Sequence, residues 1–239
     1  MGTAEMGRGP LVRFSAINEA WGLFKDEAGT WILAGLVVLV GNWALFAAVK
    51  AVFGLHLPQG GGFVVGVPPA GRLVSAVLAA VLNGILLGGL FRLACAQVRG
   101  QRISVSEMAQ IGDVFPQLVL GSAIYGAASS LAAAVCFVIP AFILAGVWMF
   151  TIPLIVDGKL RAVDAISQSW RVLKREWLMA TVFHFVVSLA AGIGICFFCV
   201  GMFFTMPLYC LSIAVLYRDA FMGKRREYPG KPPSPDPYF

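Results

Sequence analysis

Charged residues are scarce in this sequence: Asp, Glu, Lys and Arg make up 13% of it, while 59% of its residues are hydrophobic. In a soluble domain about 25% of the residues are charged. The composition therefore excludes an ordinary water-soluble domain and indicates an integral membrane protein. A chain of 239 residues has room for one such domain.

Carboxylates are missing from every long apolar segment, although the chain contains 12 Asp and Glu residues. Carriers coupled to protons or cations normally keep a carboxylate inside the membrane, so this class is disfavoured. The sequence also lacks the motifs of zinc metalloproteases, phosphate-binding loops and nucleophile elbows. We therefore predict no catalytic residue, no metal site and no cofactor.

The apolar segments predict six transmembrane helices in three hairpins. About 20 apolar residues cross the hydrocarbon core as a helix. The predicted spans are residues 31–53, 73–91, 118–139, 141–156, 177–200 and 202–217, with Pro140 at the reversal between the third and the fourth. The predicted fold class is thus an all-α, polytopic membrane bundle, in one domain over residues 1–221.

One short sequence occurs twice, each time directly before an apolar segment. Residues 165–176 align with residues 16–27, and Ala, Ile, Trp, Lys and Glu coincide. Apolar residues at every third or fourth position predict interfacial amphipathic helices over residues 12–27 and 160–176. A helix buried beneath the bundle is the alternative for the first copy. The predicted apolar stripes are Phe14, Ile17, Trp21 and Phe24, and Val163, Ile166, Trp170, Leu173 and Trp177.

A weaker third copy is predicted at residues 104–115. Ser104 and Glu107 have the spacing of a capping box, in which each side chain hydrogen-bonds the backbone of the other residue. The chain is therefore predicted to repeat one unit, an amphipathic helix followed by a membrane hairpin.

Basic residues are distributed unevenly between the two sides of this predicted bundle. Of the 18 Lys and Arg residues, all except Lys50 and Arg72 fall on the side of the N-terminus. Because basic residues of short loops stay in the cytoplasm, both termini are predicted to be cytoplasmic, including a basic, Pro-rich tail at residues 222–239. No aromatic-basic groove accompanies these charges, so nucleic acid is not an expected partner.

Aromatic and basic side chains of the two copies are the expected contacts for partners. They are Trp21, Lys25, Trp170, Lys174 and Arg175. A basic residue near an anionic bilayer surface gains about 1 kcal/mol from head-group attraction. The predicted partners are therefore membrane lipids and another membrane protein.

Few polar side chains fall within the predicted spans. Asn42 and Asn83 are expected to face the bundle interior and to hydrogen-bond each other. His184 has two interpretations. It is either a structural residue that hydrogen-bonds a partner such as Tyr125, or a functional site, because ionisable residues inside a membrane are often functional.

Two further patterns also have two interpretations each. Cys196 and Cys199 have Cys-x-x-Cys spacing, which indicates redox chemistry or, within an apolar helix, ordinary packing. Small residues four positions apart favour close helix packing, either within the bundle or against another subunit. These pairs are Gly84 and Gly88, Ser122 and Gly126, and Ser188 and Gly192.

The second half of the chain carries a set of motifs found together in one group of membrane proteins. Residues 152–158 are Ile-Pro-Leu-Ile-Val-Asp-Gly, followed by Ala165-Ile166, Ser169-Trp170, Gly201, Pro207 and Tyr217-Arg218-Asp219. This pattern resembles bacterial six-helix membrane proteins related to the membrane domain attached to some glycerophosphoryl diester phosphodiesterases. The resemblance implies a multi-pass, all-helical protein of the bacterial cytoplasmic membrane. It does not imply phosphodiesterase activity, because the catalytic domain and its acidic metal ligands have no counterpart in this sequence.

The leading functional hypothesis is a non-catalytic scaffold or accessory subunit of a larger bacterial membrane complex. The alternative is a protein that transports or handles a small solute or lipid in a cavity between hairpins. Asn42, Asn83, Tyr125 and His184 are the predicted lining of that cavity. An intramembrane enzyme that uses His184 or Cys199 is a third and more distant hypothesis.

Overall fold

A computed structural model of the chain describes residues 10–53, 69–136, 138–196 and 201–222. All regular structure in these ranges is helical, which confirms the all-α prediction. The α-helices are α1 (Ser15–Asp26), α2 (Ala28–Phe53), α3 (Pro69–Val98), α4 (Phe115–Cys136), α5 (Val138–Val147), α6 (Thr151–Val156), α7 (Ala162–Leu173), α8 (Trp177–Cys196) and α9 (Met202–Phe221). Short 3₁₀ helices lie at Val105–Ala109 and Lys174–Glu176. Apart from its first residue, the predicted tail lies outside the described residues.

Two of the described helices are long and apolar enough to cross a membrane: Ala28–Ala48 in α2 and Leu73–Val98 in α3. Helix α3 continues beyond the predicted end of this span at Arg92. The Arg92 side chain is partly exposed and contacts Asp113, so its charge does not interrupt the helix. Pro140–Val156 is a shorter apolar stretch. The bounds of α4, α8 and α9 agree with those of predicted helical segments to within a few residues, but the six-span count is not confirmed and stays a prediction.

The predicted fourth span, residues 141–156, is wrong as a single helix, because α5 and α6 are separated by a turn. Ser169 of α7 hydrogen-bonds both sides of this turn. Its hydroxyl donates to Val147 O at 2.8 Å and accepts from Phe150 N at 3.3 Å. Pro140, predicted at the reversal itself, lies in the first turn of α5, where its missing N–H removes no helical hydrogen bond.

The helices form three units that pack in a closed ring. Each unit is a short helix followed by two longer limbs: α1 with α2 and α3, the first 3₁₀ helix with α4 and the α5–α6 pair, and α7 with α8 and α9. Each short helix packs against the second limb of the preceding unit, α1 on α9, the 3₁₀ helix on α3 and α7 on α6. The first limbs pack in the same order, α2 on α9, α4 on α3 and α8 on α5. The first unit is therefore in contact with the last, through α1 and α2 against α9.

The two aligned copies bury and expose matching positions. Trp21 and Trp170 are 44% and 48% exposed. The buried pairs are Ala16 and Ala165, Ala20 and Ser169, Phe24 and Leu173, Trp31 and Ala180, Ala34 and Phe183, and Val38 and Val187. Both copies, together with the first turns of the helices that follow them, therefore pack by the same face.

This buried face differs from the predicted apolar stripes. Trp21 and Trp170 are exposed, as are Phe14 and Val163, while the small residue before each Trp is buried. Small side chains let a short helix approach its neighbour closely, so the bulky residues are left on the outer side. Each copy is thus buried by one face and exposes a Trp on the other. The interfacial location of both copies stays a prediction.

The predicted third amphipathic helix, residues 104–115, is only the short 3₁₀ helix. The capping-box prediction is wrong, because Ser104 Oγ lies 3.0 Å from Ser106 Oγ and does not cap the helix. Met108 is buried against Gly89 of α3 and anchors this segment.

Two of the three predicted small-residue pairs meet in one interface inside the bundle. A Cβ added at Gly84 of α3 would lie 1.9 Å from Ser122 Oγ of α4, and one at Gly126 would lie 2.6 Å from Ala80 Cβ. The backbones of α3 and α4 are therefore in close contact. In the third pair, a Cβ at Gly192 would meet no atom within 4 Å in the part of the chain that the structure describes.

The two Trp-bearing helices lie at the same end of the bundle. The N–H groups of Leu11 and Val12 donate to the Glu176 carboxylate at 3.0 and 2.9 Å, which joins the start of α1 to the end of α7. Gln97, near the end of α3, donates to Leu23 O of α1 at 2.7 Å. We call this end, formed by α1, α7 and the last turns of α3 and α9, the charged end.

Candidate functional site

The helices surround a cavity of about 190 Å³ beside the turn between α5 and α6. Residues of α3, α4, α5, α6, α8 and α9 line it, together with the turn itself. Spaces between the helices of a bundle are common small-molecule sites. None of the described residues that line this cavity is Asp, Glu, Lys or Arg.

Two polar atoms of this lining have no hydrogen-bond partner among the described residues. They are Thr151 Oγ1 and His184 Nδ1. The two residues are only 7% and 9% exposed. A buried polar atom without a partner costs about 1–3 kcal/mol. Both atoms are enclosed by protein, so a molecule in the cavity does not reach them in this structure.

Aromatic rings form much of the wall around these atoms. Tyr209 of α9 lies edge to face against His184, with ring centroids 5.9 Å apart. Tyr125 packs against Trp148, with centroids 6.4 Å apart. The predicted hydrogen bond between Tyr125 and His184 Nδ1 is absent from the described part of the chain, because α8 packs on α9 and brings Tyr209 against the imidazole.

Asn83 lies at the side of the bundle, where the cavity begins. Asn42 Nδ2 donates to Asn83 Oδ1 at 3.2 Å, so the predicted contact between the two residues is present. Asn83 is exposed, however, and does not face the bundle interior as predicted. Of the four residues predicted to line a cavity, Asn83, Tyr125 and His184 do so, and Asn42 reaches it only through Asn83.

The charged end contains a second arrangement of polar groups, which joins the first helix to the last. Arg13 donates to Asp219 Oδ2 and to Glu19 Oε2, both at 2.8 Å. Arg218 donates to Glu19 Oε1 at 2.7 Å and to Asp219 Oδ1 at 2.8 Å. Burial tends to lower the pKa of Arg218, but the hydrogen bonds and charges of the two carboxylates outweigh it and raise the pKa.

A polar hollow of about 370 Å³ also lies at this end, next to the last turns of α3 and α6. Its cations are paired: Arg92 and Lys159 contact Asp113 at 3.3 and 3.0 Å, and Arg99 contacts Asp157. The hydrogen bond from Lys159 is the main cause that lowers the pKa of Asp113. Glu107 also lines the hollow, so three carboxylates face these three cations and there is no excess of positive charge for an anion.

The five residues predicted to contact partners, Trp21, Lys25, Trp170, Lys174 and Arg175, are all exposed on α1, α7 and the 3₁₀ helix that follows it. The cysteine interpretations stay predictions, because Cys199 and the side chain of Cys196 lie outside the described residues. Cys95 and Cys210 are buried free thiols.

The sequence prediction missed two polar residues of the cavity, Thr151 and Tyr209. Thr151 lies two residues before Pro153, where the backbone leaves α5 and starts α6. A polar residue beside a proline in an apolar run was the available signal. Tyr209 gave no such signal, because only the packing of α9 on α8 turns it toward His184.

Comparisons of the chain with protein-family models, with curated proteins and with solved structures found no match. Among the described residues, no group of three His, Cys, Asp or Glu side chains is placed to hold a metal ion. The cavity and the charged end are the two features of the described residues that bear on function.

Proposed function

We propose that the chain is a non-catalytic, multi-pass protein of a bacterial cytoplasmic membrane that holds a small solute or lipid in the cavity between its helices. In this proposal, six spans form three hairpins and both termini are cytoplasmic. The sequence resemblance to the membrane domain attached to some glycerophosphoryl diester phosphodiesterases supports the architecture. The phosphodiesterase activity is not part of the proposal.

The outer surface of the bundle supports a membrane location. Val40 and Trp43 of α2 are 60% and 69% exposed, and Leu178 of α8 is 59% exposed. Soluble monomers rarely expose broad apolar surfaces, whereas lipid solvates such a surface without cost. The two helices that are long enough to cross a membrane add to this support.

The placement of the short helices supports the proposed orientation. Glu176 joins α1 to the end of α7, and Arg218 joins α1 to the end of α9. These contacts bring most of the basic segments to one end of the bundle, as the positive-inside rule requires for a cytoplasmic face.

The observation that carries the proposed function is the cavity itself. It combines an uncharged, largely apolar and aromatic wall with a few polar side chains, among them Asn83 and Tyr125. Small-molecule sites typically combine apolar walls with a few polar groups. A bundle built only as a scaffold would gain stability by filling a space of about 190 Å³.

The orientation is tested by labelling cysteines introduced at the charged end. Lys25→Cys and Lys174→Cys variants, in a background without the natural cysteines, are treated with a membrane-impermeant thiol reagent. Both positions should react in inverted vesicles and stay protected in intact spheroplasts. Labelling of either position in spheroplasts contradicts the proposed topology.

The binding function is tested by closing the cavity. Ala145 is buried and lines it, so Ala145→Phe should fill much of the space. Native mass spectrometry of protein purified from its own membranes should show a small bound molecule that Ala145→Phe lacks. Leu178→Phe, on the exposed outer face of α8, is the control and should retain the molecule. If neither wild type nor control carries a bound molecule, the proposed function is wrong.

A second candidate function, an accessory subunit of a membrane complex, is favoured by one observation. Trp21 and Trp170 are exposed at matching positions of the two copies, the first followed by Lys25 and the second by Arg171, Lys174 and Arg175. Co-purification in mild detergent tests this candidate. It predicts a stoichiometric partner that is lost from a Trp21→Ala, Trp170→Ala variant, and a wild-type chain that purifies only as monomer eliminates it.

A further inference from the structure

Three cations lie close together where α7 leads into α8. Arg171, Lys174 and Arg175 are exposed, and none of them has an ion-pair partner among the described residues. The exposed rings of Trp170 and Trp177 flank them in sequence. We call these five residues the basic patch. We propose that the basic patch binds the phosphate group of an anionic phospholipid at the cytoplasmic surface of the membrane, an inference that rests on the proposed membrane location and orientation and not on the cavity.

Helical geometry places the basic patch on one face. The backbone stays helical from α7 through the short 3₁₀ helix into α8, and Lys174 and Trp177 have helical backbone angles. Residues three or four positions apart on a helix are neighbours on its surface, so Arg171 lies beside both Lys174 and Arg175. Lys174 likewise lies between Trp170 and Trp177. The opposite face carries the buried residues Ser169, Leu173 and Ala180.

Nearby carboxylates do not neutralise the basic patch. Both oxygens of Glu176 accept hydrogen bonds from backbone N–H groups, those of Leu11 and Val12, at 3.0 and 2.9 Å. Asp164, the one acidic residue of α7, precedes Arg171 by about 10 Å along the helix. The basic patch therefore keeps an exposed positive charge that is available to an anion.

The residues that follow the basic patch set its level in the proposed membrane. Leu178, Met179, Val182 and Phe185 of α8 are 40–59% exposed. In a membrane-embedded bundle, lipid chains cover such a surface. The change from exposed cations to exposed apolar side chains takes less than one helical turn after Arg175. The cations therefore lie at the level of the lipid phosphates.

The side chains of the basic patch match the chemistry of a phospholipid head group. Arginine presents a planar fork of N–H donors that fits two oxygens of a phosphate, and lysine adds a mobile point charge. Tryptophan is enriched at membrane interfaces, because its ring is apolar and its N–H group donates a hydrogen bond. A phospholipid supplies both a phosphate for the cations and acyl chains that continue along the apolar face of α8.

The corresponding surface of α1 lacks this arrangement. Lys25 occupies the position of Lys174, but Gly22 and Asp26 occupy the positions of the two arginines. One lysine beside a carboxylate offers little net charge to a phosphate. The inferred lipid site therefore belongs to the third unit alone, whereas a partner that recognises the exposed Trp of both copies would not distinguish them.

The test measures the lipid preference of the full chain by native mass spectrometry in detergent. Delipidated protein is titrated with phosphatidylglycerol or with phosphatidylethanolamine of the same acyl chains, which gives the Kd of the first bound lipid. Wild type should bind phosphatidylglycerol more tightly. An Arg171→Gln, Arg175→Gln variant should weaken this binding about tenfold to thirtyfold, because each cation near an anionic surface contributes about fivefold. Binding of phosphatidylethanolamine should change much less.

A second double variant controls for net charge. Lys25→Gln, Arg102→Gln also removes two exposed cations, from α1 and from the loop after α3. It should keep the preference of wild type for phosphatidylglycerol. An equal loss of preference in the two double variants would indicate a general effect of charge and overturn the inferred site.

Further outcomes separate this inference from the other proposals. Equal binding of the two lipids to wild type overturns it. If the Arg171→Gln, Arg175→Gln variant loses a co-purified protein and keeps the lipid preference, the basic patch is a protein interface and the inference is wrong. Ala145→Phe closes the cavity and should leave the lipid preference unchanged. A chain that retains its cavity ligand but shows no lipid preference therefore contradicts this inference only.

Discussion

Gln97 connects three segments of the charged end through one amide group. Its Oε1 accepts from Trp31 Nε1 at 2.7 Å, and its Nε2 donates to Leu23 O, also at 2.7 Å. Trp31 is fully buried and Gln97 is 6% exposed. The amide therefore satisfies the buried N–H of Trp31 and the partly buried carbonyl of Leu23, and it holds α1, α2 and α3 together.

Replacing this amide by an apolar side chain of similar size should destabilise the protein. Gln97→Leu leaves the Trp31 N–H and the Leu23 carbonyl without that partner, at a cost of about 1–3 kcal/mol for each buried group. The midpoint of thermal unfolding in detergent should fall clearly. Gln101→Leu, an exposed residue of the same type four positions later, is the control. Equal midpoints for the two variants contradict this role of Gln97.

Asp113 is predicted to make stability depend on acidity at low pH. Its pKa lies below the ordinary value of 3.8, mainly because Lys159 donates a hydrogen bond to it. A lowered pKa contributes stability above pH 3.8, and the contribution disappears as pH falls through the lower pKa of the folded state. Asp113→Asn should thus lower the unfolding midpoint slightly at pH 6, and this difference should shrink as the pH falls below 3.8.

Lys159→Met provides the complementary measurement. It removes the main cause of the lowered pKa and should reproduce most of the effect of Asp113→Asn at pH 6. The side chain of Asp113 is 40% exposed, so both effects should be small and should weaken at high salt. Salt-independent effects contradict an exposed ion pair.

At the scale of helices, close contact of small residues orders the bundle more than apolar stripes do. Ala16 and Ala20 bring α1 onto α9, and Gly84 brings α3 onto α4. In the proposed membrane environment, burying large side chains brings little hydrophobic gain, so close packing contributes most to helix association. Trp21 of α1 and Trp170 of α7 are exposed, whereas Phe24 and Leu173 are buried beside the small residues.

Gly84→Ala is expected to separate α3 from α4. The added methyl would lie 1.9 Å from Ser122 Oγ and 2.6 Å from Ser122 Cβ, so the helices must shift, at a cost of about 1–3 kcal/mol. The unfolding midpoint should fall. Combining it with Ser122→Gly should restore part of the stability, because the two residues then exchange volumes.

Gly192→Ala is the matched control for this prediction. Among the described residues, its Cβ meets nothing within 4 Å, and alanine favours the helix over glycine by about 1 kcal/mol. The variant should be as stable as wild type or slightly more stable. A loss equal to that of Gly84→Ala would contradict the packing argument.

At the scale of the molecule, the ring of three units is closed by charges. Arg13 precedes α1 and Arg218 lies near the end of α9, and both contact Glu19 and Asp219. The side chain of Arg218 is only 6% exposed. Removing one member of a buried ion pair leaves the other charge uncompensated.

Arg218→Leu should therefore weaken the contact between α1 and α9. The expected loss is up to about 3–5 kcal/mol, the cost of breaking a buried pair. Lys174→Leu removes an exposed cation at the same end and should cost less than about 1 kcal/mol. Unfolding midpoints in detergent compare the two variants, and protease sensitivity of the α1 segment should rise in Arg218→Leu only. Equal decreases of the unfolding midpoint in the two variants would show that the ion pairs of Arg218 do not stabilise the contact between α1 and α9.

Part of the candidate site was predictable from sequence and part was not. Asn83, Tyr125 and His184 stand out as polar residues in apolar segments, and they do line one cavity. Asn42 contacts Asn83 as predicted, but Asn42 lies on α2, which does not line the cavity. Thr151 was missed because it meets the cavity only where α5 and α6 separate, and the nearby Pro153 does not by itself specify that break.

The all-α class and the apolar segments that form α2 and α3 follow from the sequence alone, because helix formation and the length of an apolar segment depend on residues close together in the chain. The tertiary structure alone decided which face of each short helix is buried, where α5 breaks from α6, and that Thr151 and His184 share one cavity. Those properties arise from contacts between segments far apart in sequence, such as Ser169 with the turn after α5 and Arg218 with Glu19. A periodic pattern specifies that a face is apolar, but only the shape of the neighbouring helix decides whether that face packs.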